Sequence, residues 1–581
     1  MNRSAIYHRS ALTDCYALDK DTAVVNLRTG KDITAVNLIW EDPYAYGLSG
    51  QFNWYGVPKA MAVKRELKNS LIWSVEIQPP YKRLQYCFEI FCGDEKILLL
   101  EDDFYTEESL KKPGRWRQFF KFPWMNPVDI ITPPSWVEGT IWYQIMPDRF
   151  CQGDMAPKRV PLKDWNDRET VTGSDFYGGD LRGVIEKLPY LQNLGVTGIY
   201  LLPVFLSDTN HKYNIFDYEQ LDPDFGTEED MKELVEKAHE LGIRVMVDAV
   251  FNHSGTGFFA WKDVWENGEN SRYFDWFCIN QVPFERKYAS LRDGRFHGFE
   301  FLDNMPKLNT GNPEVASYCI NRCRHWVENW NIDGIRFDVG NEVSHSFLKA
   351  LNGDLKAINP ELFLLGEIWH DSVQWLQGDE YDAVMNYPFF ESAHNFWLDS
   401  ERDSRDFMYA MNRVYSLYPE QLNRCTFNFL DTHDTLRARN RCGNLDAYYQ
   451  QLTLLMTMPG SACIYYGTEI AMPGGFDPDC RRTMPWNEIE AGVHADAMAE
   501  MKSLIALRKN WEGIRGTEIC WHHDDKNPRL ICFDRPGENG VRVYIHGGQD
   551  PVEISGAEEI CYSRKFRDGI LMPGGILVMC L

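Results

Sequence analysis

The segment "GIRFDVGNE", Gly334 to Glu342, sets an arginine and an aspartate two residues apart inside an otherwise apolar run. Side chains alternate along a strand, so Arg336 and Asp338 share one face while Ile335 and Phe337 take the other. Alone, such a pair reads as a structural ion pair. Three further acids change that weighing: Asp248 in "IRVMVDAVF", Glu367 in "LFLLGEI" and Asp434 just after "CTFNFLD" all stand at or beyond the ends of apolar runs. Carboxylates crowded together repel one another unless cations or hydrogen bonds separate them, so a converging set of acids points to chemistry. The guanidinium beside Asp338 predicts a lowered pKa and a charged carboxylate, as a nucleophile needs. Glu367 has Leu364, Leu365, Ile368 and Trp369 around it and no basic neighbour in sequence, which predicts a raised pKa and the protonated form of a general acid. One low and one raised carboxylate form the pair that cleaves a glycosidic bond. Adjacent strands lie about 5 Å apart, which favours the retaining geometry and a covalent intermediate on Asp338 over the wider inverting one. Asp434 is then expected to grip sugar hydroxyls, with His433 beside it and His253 in "DAVFNHS" bonding further hydroxyls.

The elements that must position these residues are legible as a series. "GTIWYQI", "VTGIYLL", "IRVMVDAVF", "DGIRFDV", "LFLLGEI", "YDAVMNY", "CTFNFLD" and "CIYYG" are eight candidate strands separated by helical patterns, which predicts a closed (β/α)8 barrel with chemistry at the strands' C-terminal ends. One intervening helix is predicted in detail: Thr227 as N-cap with Asp230 as its partner, Met231, Leu234, Val235, Ala238 and Leu241 at helical spacing, and Gly242 as the stop. The stretch of about 252–312 after the third strand is too long for a loop and rich in Trp and Phe, so it is expected to be a small inserted subdomain. Residues 1–125 alternate apolar and polar between turn residues and read as an N-terminal β-sandwich; the barrel is expected over 126–514, and a C-terminal β-sandwich over 515–581.

Composition narrows the partners. A chain of 581 residues with 60 basic and 85 acidic side chains carries a formal charge of -25, which repels phosphate backbones and anionic lipid, so neither nucleic acid nor membrane is an expected partner. The first residues, "MNRSAIYHRSALTDCYALDK", lack an apolar h-region, and no long apolar run occurs; the expected location is cytoplasmic. The fifteen cysteines are read as reduced, and Cys319 and Cys323, one helical turn apart near His325, as helix packing. The motifs of phosphoryl transfer, serine hydrolysis, zinc peptidases and dinucleotide binding are absent.

In order and at sensible spacing, "DAVFNH", "GIRFDV", "GEIW" and "FLDTHD" resemble the four signature regions of the α-amylase superfamily, glycoside hydrolase family 13. "MPKLN" at Met305 to Asn309, "VGNE" and "DPDCRR" are similar to the subgroup of neopullulanase, cyclomaltodextrinase and maltogenic amylase, and the first sandwich resembles that subgroup's starch-binding-type N-domain. The resemblance implies Asp338 as nucleophile, Glu367 as acid/base and Asp434 as transition-state stabiliser. It implies that Arg336, His253 and His433 contact the reacting sugar or orient the acids, that Tyr213 in "HKYNIFDY" stacks on that sugar, and that Asp248 supports the site. Asp477 with Arg481 would hold the next sugar, and Glu342 would tune substrate preference. It further implies α-glucan oligosaccharides and cyclodextrins as substrates and a homodimer through the N-terminal domain. Two positions depart from the pattern: Gly340 stands for the alanine of "VANE", and Asn214 for an aspartate.

No cofactor is expected to be required. Calcium is weighed only at Asp154, Gly178 and Asp180, in a loop where Ala156, Pro157 and Lys158 replace oxygen ligands; a hard cation wanting six to eight oxygens is opposed by a lysine, and tight binding is not expected. Within the same family the alternatives are a transglycosylase or a debranching enzyme. A non-catalytic glucan-binding protein is disfavoured, since all three acids remain.

Overall fold

Eight short parallel strands form the centre of the fold: Ile141–Ile145 (β1), Gly198–Leu201 (β2), Arg244–Ala249 (β3), Gly334–Phe337 (β4), Phe363–Gly366 (β5), Ala383–Val384 (β6), Phe427–Phe429 (β7) and Ser461–Tyr465 (β8). The first seven lie within the runs expected to be strands, and the eighth begins two residues before the expected "CIYYG" and overlaps it. In this computed structural model, which describes residues 1–48, 54–110, 117–154, 158–282, 290–556 and 559–581, the sheet order is β6-β5-β4-β3-β2-β1-β8-β7. A parallel bridge from Met385 to Phe427, with the Asn386 N–H donating to the Phe427 carbonyl at 2.8 Å, joins the two ends and closes the barrel. Every residue of β1, β2, β4 and β5 is buried, as near-continuous apolar strands between a filled interior and a ring of helices must be.

Register decides what the rim of this barrel presents. Asp248 on β3 is the direct partner of Arg336 on β4, and Phe337 on β4 is the partner of Gly366 on β5. The next residue on each of those last two strands, Asp338 and Glu367, therefore leaves the sheet at the same level.

The helix Glu228–Glu240 begins as the sequence predicts. The Thr227 hydroxyl accepts from the Asp230 N–H, and the Asp230 carboxylate accepts from the Thr227 N–H at 2.8 Å, which satisfies two of the donors left open at a helix start. Its buried face is Met231, Leu234, Val235 and Ala238, and Gly242 follows with φ +72. Cys319 and Cys323 are buried free thiols on the helix Pro313–His325, and His325 turns toward Glu228 at 3.3 Å.

The insertion after β3 contains the helix Phe259–Asn267 and is laced by isolated antiparallel bridges, His253 to Lys307, Gly298 to Pro306 and Ile279 to Phe296. Its core is aromatic: the Trp261 ring lies 4.8 Å from both Phe277 and Phe296. The C-terminal residues form a six-stranded antiparallel sheet. Its last strand, Ile570–Cys580, carries Pro573, Gly574 and Gly575 mid-length; its start pairs with Val552–Glu553 and its end with Val541–His546. This sheet is tied to the helix Leu445–Thr457 by the Gln450 amide, which donates to the His546 carbonyl at 2.8 Å.

By packing, the chain divides into two units, one of residues Met1–Thr132, Asp371–Gly378 and Ser400–Asn423 and the other of the remainder. The first contains a four-stranded and a six-stranded antiparallel sheet with Val25, Leu27, Leu38, Val75, Tyr86, Phe88 and Ile90 between them. The second contains the barrel, the insertion and the C-terminal sheet.

Thr227→Ala removes one half of a reciprocal cap. It is expected to lower stability by about 1 kcal/mol, seen as a lower Tm in scanning calorimetry, without changing the far-ultraviolet circular dichroism at 25 °C.

Candidate active site

The barrel interior is organised around Arg336, which is fully buried. Its Nη1 donates to both oxygens of Asp248 at 2.9 Å and to Asp338 Oδ1 at 2.9 Å, while its Nη2 lies 2.8 Å from Glu367 Oε2. Asp248, also fully buried, accepts in addition from the hydroxyls of Tyr200 at 2.6 Å and Tyr213 at 2.9 Å. Above them opens a cavity of about 580 Å³ lined by Asp338, Glu367, Asp434, His211, Tyr213, His253, His433, Glu342, Asp477 and Arg481, together with Phe299, Glu300, Leu302, Met305, Val339, Asn341, Trp369 and His370. That volume is in the range of small-molecule sites.

One expectation about charge is corrected, and a partner that the sequence did not show is added to another. Glu367 does have a basic neighbour, Arg336, brought from the adjacent strand, and it accepts three more bonds: from the Val339 N–H at 3.0 Å, Trp369 Nε1 at 3.1 Å and the Tyr387 hydroxyl at 3.2 Å. Sequence proximity could not show a partner supplied by register. Asp338, expected to be held low, is instead pushed well above the usual carboxylate range by burial, with Glu367, Asp248 and Asp434 adding repulsion against the opposing pull of Arg336. One guanidinium is divided among three carboxylates, so it cannot neutralise each. Asp248 is likewise raised by burial against the pull of the same guanidinium.

Asp434, a third exposed at the cavity, is raised by the desolvation of its position in the cleft, opposed by Arg481 and Arg336. Arg481 donates from Nη2 to Asp434 Oδ1 at 3.2 Å, pairs through Nη1 with Asp477 Oδ1 at 3.0 Å, and donates from Nε to the His433 carbonyl at 2.9 Å, so four residues that sequence reading singled out are one cluster. The Gln144 amide donates to His433 Nδ1 at 3.0 Å, which leaves the ring proton on Nε2, 3.2 Å from Asp434 Oδ2. The Tyr213 ring lies parallel to His433, 5.2 Å between centroids at 3°, and presents its other neighbour, His211, at 5.7 Å. His253 Nε2, buried on the cavity wall, has no hydrogen-bond partner among the described residues, a nitrogen open to a ligand hydroxyl.

"MPKLN" acquires a physical role. The Lys307 ammonium bonds Asn252 Oδ1, the Glu342 carbonyl at 3.1 Å and Glu342 Oε2 at 3.0 Å, tying the insertion to the loop after β4. The departure at Gly340 is explained by crowding: a Cβ there would stand 2.9 Å from the Tyr381 hydroxyl and 3.3 Å from the Glu367 backbone. Of the residues expected to bind substrate, Asp248 and Arg336 do not line the cavity; they are sealed in the barrel, where they hold the acids. Sequence reading passed over His211, although it stands in the quoted "HKYN", and over Trp369 as a cavity wall, although it follows Glu367 by two. Phe299 and Glu300 carried no local signal.

The calcium candidates do not fit the ion. Asp180 caps the helix Leu181–Leu194: its Oδ1 accepts from Gly183 N at 2.8 Å and Gly153 N at 3.1 Å, and its Oδ2 is 2.6 Å from the Lys158 ammonium. That ammonium also donates to the Asp224 carbonyl at 2.7 Å, so a lysine already supplies the positive charge. Asp154 is exposed. Ala156 and Pro157 lie outside the described residues.

The sequence profile of the alpha amylase catalytic domain matches residues 144–515, and that of the alpha amylase N-terminal ig-like domain matches residues 1–126. The chain is similar to a cyclomaltodextrinase of Geobacillus thermopakistaniensis, 39% identical over 95% of this chain and 92% of that one. It is similar to an intracellular maltogenic amylase of Bacillus subtilis, 38% identical over 97% of this chain and 94% of that one. A solved cyclomaltodextrinase structure superposes with a TM-score of 0.88 at 34% identity, covering 100% of this chain and 98% of that one.

Burial, with Lys307 adding to it, lowers the His253 pKa to about 3. An imidazole that stays neutral in the folded chain down to there, but titrates near 6.5 once unfolded, makes the unfolded chain the better proton binder between the two values. Folded stability tied to His253 is therefore lost as pH falls below 6.5. His253→Gln is expected to remove a slope approaching about 1.4 kcal/mol per pH unit, read by calorimetry as a parent Tm that falls relative to the variant's between pH 7 and 5.

Proposed function

The chain belongs to the α-amylase family of glycoside hydrolases, and from that premise we propose that it is a retaining α-glucan hydrolase acting on cyclodextrins, pullulan and short maltooligosaccharides. The observation that carries the reading is the pair Asp338 and Glu367, level on adjacent strands and gripped by the two nitrogens of one guanidinium. Strand spacing of about 5 Å suits a nucleophile and an acid acting on one bond and leaves too little room for the water of an inverting enzyme.

In the first step a Asp338 carboxylate oxygen attacks the anomeric carbon while Glu367 gives its proton to the departing glycosidic oxygen. In the second, Glu367 takes a proton from water, whose oxygen attacks the same carbon and releases Asp338. Arg336 Nη1, bonded to Asp338 Oδ1 at 2.9 Å, stabilises the carboxylate that attacks, while Glu367 serves as the proton donor. Asp434 and the His433 Nε2–H face the sugar hydroxyls, His253 Nε2 offers another bond, and the Tyr213 ring supplies an apolar face for stacking. Arg481 with Asp477 suits the next sugar on the non-reducing side.

Transfer to a sugar acceptor in place of water is the second reading. It is favoured by Trp369, a 57% exposed residue whose ring is stacked on Tyr387 at 4.2 Å and which lines the same cavity as Glu342, itself held by Lys307. A cytoplasmic location agrees with the naming of the Bacillus relative as intracellular. Among the described residues no helix is long and apolar enough to cross a membrane.

Asp338→Asn is expected to lower kcat/KM on γ-cyclodextrin and maltotriose by at least about 10⁴-fold, and Glu367→Gln by about 10² to 10⁴-fold with much of the rate retained on α-maltosyl fluoride, whose leaving group needs no acid. Assays run in EDTA should match those run in calcium; loss of turnover in the chelator, or a parent that leaves every α-glucan intact, contradicts the reading. The resemblance of the N-terminal domain supports a homodimer, so light scattering should give twice the chain mass of 67.6 kDa.

A further inference from the structure

Lys212 sits between two residues that line the cavity, His211 and Tyr213, and does not line it itself. Its backbone has φ +63, a left-handed conformation that side chains bearing a Cβ seldom adopt. Its side chain is 2% exposed, so a lysine has been buried in an unfavourable backbone state one residue from the sugar-facing tyrosine. Neither feature is needed to fill space, since an apolar residue would avoid the desolvation of an ammonium. The ammonium is met by Asp222 Oδ2 at 2.7 Å, by the Ser207 carbonyl at 3.4 Å and by the face of Phe225, 4.9 Å from the ring centre.

Asp222 is a rigid anchor. It is fully buried, its Oδ1 accepts from the Asp224 N–H at 2.9 Å and pairs with Arg159, its Oδ2 also accepts from the Ser207 N–H at 3.3 Å, and its own N–H donates to the Val204 carbonyl at 2.9 Å. A side chain clamped at its far end to such an anchor restricts the backbone it comes from. That backbone directs Tyr213, whose hydroxyl must reach Asp248 at 2.9 Å while its ring stays parallel to His433.

We propose that Lys212 is a positioning residue of the cleft: clamped on Asp222, it holds the left-handed turn from which Tyr213 and His211 enter the cavity. The proposal rests on the α-glucan reading for its substrate, and the control separates the two: parent turnover tests that reading, and the ratio of variant to parent tests Lys212.

The experiment is a double-mutant cycle of Lys212→Met with Tyr213→Ala on γ-cyclodextrin and maltotriose, in variants shown to be folded by circular dichroism. If Lys212 acts through Tyr213, Lys212→Met costs about tenfold or more in kcat/KM in the parent and under about threefold in the Tyr213→Ala background. A loss of equal size in both backgrounds, or a Lys212→Met variant within about threefold of the parent, overturns it. Should Lys212→Met fail to fold, Asp222→Asn takes its place under the same criteria. For a parent without turnover, the same cycle is read in γ-cyclodextrin affinity by titration calorimetry, where additive effects overturn the proposal and non-additive ones support it.

Discussion

One positive charge, the Arg336 guanidinium, holds the interior of this barrel together. It is completely buried and shared by Asp248, Asp338 and Glu367, which come from three adjacent strands. A buried cation is costly unless paired and bonded, and a buried set of acids is costly without a cation, so each half of the cluster makes the other tolerable. The sharing is unequal in purpose. Asp248, closed in by Tyr200 and Tyr213, is spent on holding the guanidinium; Asp338 and Glu367 keep an approach to the cavity. Burial, only partly offset by that one charge, raises the carboxyl groups of Asp248, Asp338 and Asp434 above their ordinary range.

The surroundings of Asp338 and Glu367 are correspondingly tight. Val339, directly after Asp338, has φ +47, a true outlier for a β-branched residue, and its N–H is the one that reaches Glu367 Oε2. The Gly340 N–H follows onto the Glu367 carbonyl at 2.9 Å, with the Tyr381 hydroxyl donating to the Gly340 carbonyl at 3.0 Å. The strained turn thus binds the end of β4 to the end of β5 and fixes Asp338 and Glu367 relative to each other, the preorganisation that electrostatic catalysis requires. Lys307 extends the same device outward, pinning the insertion to Glu342 in the loop after β4.

The cavity these parts enclose suits a neutral polyhydroxylated ligand. Its walls alternate acids and imidazoles, kept neutral by burial in the cases of His211, His253 and His433, with the rings of Tyr213, Phe299 and Trp369. Neutral imidazoles both donate and accept, carboxylates accept, and aromatic faces take the apolar side of a sugar ring.

Much of this was legible in the chain alone, because its signals are local. Period-two and helical patterns, a Thr227 to Asp230 capping box and turn glycines mark out strands and helices that any packing must respect, and eight strands with helices between them leave few arrangements but a barrel. The identity of the acids at the strand ends was readable for the same reason. What the tertiary structure decided is everything that depends on neighbours distant in sequence. Arg336 serves Glu367 as well as Asp338 because β4 and β5 pair in one register; Asp338 is raised because burial outweighs its adjacent guanidinium; Lys158 takes the charge that a cation would supply to Asp180; and Gly340 is small because a tyrosine forty-one residues away occupies the space. A sequence specifies which groups can ionise or bond, but the field each one feels falls off over a few ångströms of folded space, and only the fold sets those distances.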